Sequence, residues 1–329
     1  MNILPRAAIV GVGMYLPDRV LSNKDLEAMV ETNNDWIVER TGIKERHIAA
    51  DNQATVDLAM EAANRALTSA GVKPEDLDLI ILATATPDRS VPGSSTMIQH
   101  LLGANKAAAF DLNTACSGFL YGLSIGSQFI ATGKYKYILV IGAETLSRIL
   151  NWSDRNTCVI FGDGAGATVL APAVGDEGIL AFNLGSDGGG SDLLQVPAGG
   201  SRMPASHQSV AEGLHYLQMN GNEIFKLAVR AMIASTDQAL SEAGLTLEDI
   251  DWVIPHQASI RIINAMIKRL KIDPSRVIIT LDYHGNTSAA SIPLALAENI
   301  ERGVIKKGQV IMLTGFGAGL TWGSVILRL

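Results

Sequence analysis

The sequence predicts an α/β protein built from two similar halves. Three observations carry that expectation: strand-length apolar runs alternate with helix-length segments, glycines stand where those helices should end, and one helix–turn–strand segment occurs twice. Strands are expected at residues 7–11, 79–84, 137–142, 165–170, 252–254 and 309–314, each a short apolar run. Helices are expected at 55–70, 117–132, 222–243, 259–270 and 288–302, where apolar side chains recur at helical spacing. Gly71, Gly133, Gly244 and Gly303 follow four of these helices, and a glycine tolerates the left-handed backbone that ends a helix. Residues 185–213, rich in Gly, Ser and Asp, read as surface excursions.

The duplication is the most informative feature. Residues 65–84 read RALTSAGVKPEDLDLIILAT, and residues 238–257 read QALSEAGLTLEDIDWVIPHQ. At an offset of 173 they share the Ala-Gly helix end, the Glu-Asp turn and matching apolar positions. An offset of 170 then aligns Cys116 with Asn286 and Gly133 with Gly303, and the run 137–142 aligns with 309–314. The expectation is an N-terminal half, 1–180, and a C-terminal half, 181–329, related by a pseudo-twofold axis. Cys116 and Asn286 would occupy equivalent helix starts that approach each other.

Composition removes several classes. Of 329 residues, 47% are hydrophobic and 18% charged, which excludes a disordered or fibrous chain. A net charge of −7 argues against a nucleic-acid partner, which needs clustered Lys and Arg. Two cysteines exclude a disulfide framework and fit a reducing, cytoplasmic setting. The apolar run 7–16 enters Pro17-Asp18 without a cleavage-site pattern, so it is read as a strand and not a signal peptide. Residues 112–133 carry no charge, but Asn113, Thr114, Gln128, three serines and four glycines suit a helix packed inside protein better than lipid. The chain is therefore read as soluble, with no membrane association.

Cys116 stands at a strand–helix junction among Ala115, Ser117 and Gly118, small residues that leave room for a substrate. A helix N-terminus lowers a thiol pKa, so a reactive thiolate is expected there, whereas Cys158 has neither feature and is assigned to packing. His256 follows Pro255 at a strand end, a usual place for α/β sites; His47, His100, His207 and His215 are read as ordinary polar residues. Asn286 serves equally as a helix cap or a site residue, and His284 beside it is read as supporting. A cysteine with a distant His and Asn fits nucleophilic thiol catalysis, although the order and surroundings are not those of a papain-like protease. Gly11-Val-Gly13 lacks the third glycine and acidic partner of a dinucleotide site. Backbone N–H groups of Phe316-Gly-Ala-Gly can serve as an oxyanion hole.

The strings DWIVERTGIKER, ACSGF, FGDGAGA, PHQA, HGNTSAAS and GFGAGLTWG, spread over nearly the whole chain, resemble the β-ketoacyl-[acyl carrier protein] synthase III family of the thiolase-like superfamily. The resemblance implies a duplicated five-layer αβαβα fold and a homodimer. It implies the initiating condensation of type II fatty acid synthesis, from an acyl-CoA primer such as acetyl-CoA and malonyl-[acyl carrier protein], with acyl-CoA as substrate and no cofactor or metal. Cys116 would carry the acyl group, His256 and Asn286 would stabilise the malonyl-derived enolate, and the Cys116 and Ala318 N–H groups would hold the oxyanion. The resemblance places Trp36, Arg40, Thr41 and Arg155 at the adenine end of CoA, and Asn222, Phe225, Ala258 and Ser259 along its pantetheine arm. Lys226, Gln257, Arg261, Lys268 and Arg269 would receive the acidic carrier protein. Val91 stands where some members carry a Phe that enters the partner's acyl pocket, which points to a primer larger than acetyl. Two alternatives are set beside this reading: a secondary-metabolism acyltransferase with an unusual primer, and a catalytically silent chain-length subunit, which would need none of the three reacting residues.

Overall fold

The computed structural model describes residues 5–329. Its first part runs through β1 (Ala7–Tyr15), the hairpin β2 (Arg19–Ser22) and β3 (Glu45–Ile48) enclosing α1 (Asn23–Glu27) and α2 (Asn34–Thr41), then α3 (Thr55–Ala70), β4 (Leu79–Ala83), α4 (Ser94–Leu102), β5 (Ala108–Leu112), α5 (Gly118–Ala131), β6 (Ile138–Thr145) and β7 (Asp163–Pro172). The rest comprises β8 (Gly178–Ser186), β9 (Leu194–Gln195), α6 (His207–Ala211), β10 (Gln218–Met219), α7 (Gly221–Ala243), β11 (Trp252–Pro255), α8 (Ile260–Leu270), α9 (Leu281–His284), α10 (Ser291–Glu301), β12 (Val310–Gly317) and β13 (Thr321–Arg328).

Two sheets repeat one topology. The first has the order β1-β7-β6-β4-β5 and the second β8-β13-β12-β11. In each, the parallel pair (β4 with β6, β11 with β12) continues into two antiparallel strands. A lone parallel bridge from Val277 to Val253 stands where the second sheet would have its fifth strand.

The side-chain alternation of the strands sorts residues into layers. Leu79, Ile81, Ile138 and Val140 of the first sheet and Ile254, Ile311 and Leu313 of the second face a central cluster with Phe119, Leu120 and Leu123 of α5 and Ile292 and Leu296 of α10. The alternate residues Ile80, Leu82, Leu139 and Ile141 pack outward on α3, and Val253, Val310 and Met312 pack outward on α7 and α8. Burial on both faces explains why these strands read as unbroken apolar runs. The result is the five-layer αβαβα order. The uncharged segment around α5 is this central layer, and among the described residues no helix is long and apolar enough to cross a membrane.

Gly11 and Gly13 serve packing. A Cβ at Gly13 would lie 2.3 Å from the Ala62 carbonyl oxygen and one at Gly11 2.5 Å from that of Ala66, so β1 seats against α3 only as glycine.

The repeat holds in three dimensions with one correction. The 3-10 turns Pro74–Asp76 and Leu247–Asp249 join α3 to β4 and α7 to β11 at the offset of 173. The same offset persists at the nucleophile: the 3-10 turns Ala115–Ser117 and Ser288–Ala290 precede α5 and α10, with left-handed φ values of 45° at Ala115 and 48° at Ser288. Asn286 is thus the equivalent of Asn113, and Cys116 that of Ala289. Aligning the glycines that follow the helices misled the sequence reading, because α10 is shorter than α5 (11 against 14 residues) and absorbs the difference. The shared Asn-Thr dipeptide, 113–114 and 286–287, marks the true register.

Candidate active site

Cys116, His256 and Asn286 line one cavity of about 920 Å³. Each arrives from a different part of the fold. Cys116 sits on the turn that enters α5, His256 follows the last residue of β11, and Asn286 lies between α9 and α10. The two entry turns meet across the central layer, so the site lies where the halves face each other.

Local bonding aims each group. The Asn286 backbone is held by a bond from its N–H to the Ile160 carbonyl and another from the Gly162 N–H to its own carbonyl, both 3.0 Å. Its Oδ1 accepts the Ser288 N–H at 2.9 Å, which leaves Nδ2 as the free end of the amide. Asn113 makes the same turn in the first half, accepting the Ala115 N–H at 3.2 Å. His256 N–H donates to the Thr314 carbonyl at 2.8 Å, and its Nδ1 lies 2.7 Å from Ser291 Oγ. Gly317 presses the β12 end onto the nucleophile: a Cβ there would lie 2.7 Å from the Cys116 nitrogen. We expect Gly317→Ala to slow acyl transfer by on the order of 10²-fold, as for loss of an oxyanion donor. Rapid-mixing assays would read this, and an unchanged rate would show that the contact does not shape the site.

Opposing influences act on the nucleophile. Burial, with a smaller contribution from the nearby Glu144 carboxyl, pushes the Cys116 thiol up to about 12, against the Ser288 hydroxyl and the residue's own N–H, which lower it. Burial thus favours the neutral thiol, while the helix N-terminus favours the thiolate. Glu144 is itself fully buried, with its pKa raised by burial, and it accepts bonds from Thr84, Ala85, Thr86 and Ser288. Burial also pushes His256 down to about 3, so the ring is neutral across the working range. The condensing half-reaction should therefore show no titration near the ordinary histidine value of about 6.5. A rate that changes less than about twofold between roughly pH 5.5 and 8 is expected, whereas an ordinary histidine would lose its neutral form on the acid side. A midpoint near 6.5 that disappears in His256→Ala would contradict this.

The cavity mouth carries the aromatic and cationic residues singled out from the sequence. Trp36 lies under two guanidinium groups, Arg40 at 4.6 Å and Arg155 at 5.1 Å from its ring centre, and Arg261 lies 5.6 Å from that of Phe225. Thr41, Asn222, Ala258, Ser259 and Lys226 also line the cavity, with Ser259 capping α8 through the Ile262 N–H at 3.4 Å. Ala318 is not among the lining residues; Gly317 before it is. Val91 is 83% exposed and does not line this cavity. Lys268 and Arg269 lie exposed at the far end of α8.

Gln257 requires a correction. It is 1% exposed, its Nε2 donates to the Pro255 and Ile278 carbonyls, and its Oε1 accepts from the Thr280 and Leu281 N–H groups. It clamps the strand end that presents His256 and offers nothing to a docking protein. His284 is 2% exposed, 3.5 Å from Glu298, and does not line the cavity. Ser291, Ser288 and Glu144 escaped the sequence reading. Serines at a helix start read as caps, and a lone Glu in an apolar strand gives no sign of what surrounds it.

The chain is similar to known proteins over essentially its whole length. The family described as 3-oxoacyl-[acyl-carrier-protein] synthase III matches residues 110–188, and its C-terminal domain matches residues 240–329. A β-ketoacyl-[acyl-carrier-protein] synthase III from Caldanaerobacter subterraneus subsp. tengcongensis is 56% identical, covering 98% of this chain and 97% of that one. The crystal structure of 3-oxoacyl-[acyl-carrier-protein] synthase III from Aquifex aeolicus superposes with a TM-score of 0.91 at 46% identity, covering 98% of this chain and 100% of that one. The priming β-ketosynthase of the R1128 polyketide pathway superposes with a TM-score of 0.92 at 34% identity, covering 100% of this chain and 98% of that one. With this likeness over essentially its whole length, the chain belongs to the β-ketoacyl-[acyl carrier protein] synthase III family.

Proposed function

We propose that the protein starts type II fatty acid synthesis by condensing an acyl-CoA primer with malonyl-[acyl carrier protein]. The observation that carries this reading is a buried thiol sharing one cavity with a neutral imidazole and an amide whose Nδ2 is uncommitted. Cys116 Sγ attacks the acyl-CoA carbonyl, the carbon–sulfur bond to CoA breaks, and CoA leaves with the proton that Cys116 gives up. The attacking species is the thiolate, formed as that proton is given up, and the step exchanges one thioester for another. The Cys116 N–H and the backbone at 317–318 hold the oxyanion.

Malonyl-[acyl carrier protein] then loses CO2, and the electron pair of the broken bond becomes an enolate. His256 Nε2–H and Asn286 Nδ2 stabilise its oxygen as neutral donors. The enolate carbon attacks the acyl carbon on Cys116, the carbon–sulfur bond breaks, and Cys116 takes a proton from solvent. Acyl-CoA is a substrate, and no cofactor or metal enters this scheme.

CoA lies with its adenine end at Trp36, Arg40, Thr41 and Arg155 and its arm along Asn222, Phe225, Ala258 and Ser259. Trp36→Ala is expected to raise KM for acyl-CoA about tenfold with kcat nearly unchanged, since a stacked base is worth about 1–3 kcal/mol; steady-state kinetics check this. The carrier protein docks over Lys226, Arg261, Lys268 and Arg269, and Arg261 and Lys268, seven residues apart, share one face of α8. A homodimer forms through the open edge of β5. Gly93, two residues after Val91, lies against Asp111 of β5, so Val91 would extend towards the partner. Two free cysteines suit the cytoplasm. Val91, a small side chain at the position that would enter the partner's acyl pocket, favours as a second reading a primer longer than acetyl. Product analysis with acetyl-, branched and hexanoyl-CoA decides between them: the leading reading expects β-ketoacyl product from acetyl-CoA, and product from longer primers alone would favour the second.

A further inference from the structure

We propose that Ser291 is a positioning residue that fixes the tautomer of His256, donating its hydroxyl hydrogen to Nδ1 so that the ring presents Nε2–H to the cavity. The inference deepens the proposed function and rests on it for its kinetic consequence.

Ser291 Oγ lies 2.7 Å from His256 Nδ1, and it also accepts the Gln257 N–H at 3.4 Å. Among the described residues the hydroxyl has no other hydrogen-bond partner, and Ser291 is 2% exposed. If Nδ1 carried the ring hydrogen, Oγ would accept twice and its own hydrogen would be buried without an acceptor. Such an orphaned donor is disfavoured. If Oγ donates to Nδ1, every group in the trio is satisfied and Nε2 carries the hydrogen. Gln257, clamped by four backbone partners, holds its N–H in place against the same oxygen.

The duplicated half supplies a control. At the offset of 173, His256 corresponds to Ala83 and Ser291 to Gly118. A Cβ on Gly118 would lie 2.9 Å from that of Ala83, so the strand end and the first helix residue meet in both halves. In the first half the contact is filled by the smallest side chains. A hydroxyl is therefore not needed to pack this junction, and it occurs in the half where an imidazole stands opposite.

Three proteins test the assignment: the unmodified enzyme, Ser291→Ala and Ser291→Thr. Nitrogen NMR on enzyme labelled at its six histidines, with the His256 signal assigned from His256→Gln, reads the tautomer without substrate. The unmodified ring should be protonated at Nε2 and bare at Nδ1, and Ser291→Ala should move hydrogen onto Nδ1. In Ser291→Ala the condensation kcat should fall about 10²-fold, the loss of one oxyanion donor. Acylation of Cys116 by acetyl-CoA, read by intact mass, should keep its rate, because it uses backbone donors. Ser291→Thr, which retains the hydroxyl, should recover most of the loss. An Nδ1-protonated ring in the unmodified enzyme would overturn the proposal whatever the variants do. So would a Ser291→Ala protein in which both half-reactions slow alike. If the unmodified enzyme takes no acyl group, the functional reading fails alone, since the tautomer is read independently.

Discussion

Cys116→Ala should abolish condensation, with turnover down by on the order of 10³-fold or more, as when a covalent nucleophile is removed. The variant keeps His256, Asn286 and the cavity, so it should still bind malonyl-[acyl carrier protein] and release CO2 from it slowly without a primer. Deleting one buried sulfur costs about 1 kcal/mol in stability, so the protein should remain folded. Product assays, CO2 release and a thermal melt separate these effects. A folded Cys116→Ala enzyme that makes β-ketoacyl product at the normal rate would rule out the acyl-cysteine route.

Asn286→Asp should be nearly as damaging to one half-reaction and silent in the other. The aspartate keeps an oxygen to accept the Ser288 N–H, so the turn that aims residue 286 survives. It places a negative group where the proposed enolate oxygen develops, at a position only 5% exposed to solvent, where charges are poorly screened. Condensation and CO2 release should fall by about 10²–10³-fold, while the rate of Cys116 acylation stays within about twofold. Stopped-flow acylation together with steady-state condensation reads both. Equal losses in the two half-reactions would place Asn286 in the fold and not in the chemistry.

Much of the architecture was legible because it rests on side-chain pattern. The apolar runs that became β4, β6, β11 and β12 are buried on both faces, so nothing interrupts them. The end of α3 at Gly71 and of α7 at Gly244 appears as glycine because each takes a left-handed φ, 64° and 66°. The strands β8 and β13 escaped because they are half-exposed or broken by glycine, and β5 reads in the sequence only as an unbounded strand before Cys116. The three candidate residues came from motifs and were assembled by the repeat, although its register there slipped by three. The burial of the thiol was not legible: a helix start argued for a thiolate, and only the packing around Cys116 reveals the burial and the Glu144 carboxyl that push the other way. Gln257 misled for a related reason, since a polar residue beside a functional histidine reads equally well as a surface contact or a buried clamp.

In the proposed reaction the two halves divide labour: the sulfur of one would carry the acyl group, and the imidazole and amide of the other would make the carbanion. Rapid-quench intact-mass analysis tests this most directly, with acyl-CoA added first and malonyl-[acyl carrier protein] second. One acyl group should appear per chain, mapped by peptide analysis to Cys116, and should vanish on the second addition with one β-ketoacyl product formed for each group lost. An acyl group on any other residue, product formed without an acylated enzyme, or an acyl-Cys116 that persists while product accumulates would contradict it.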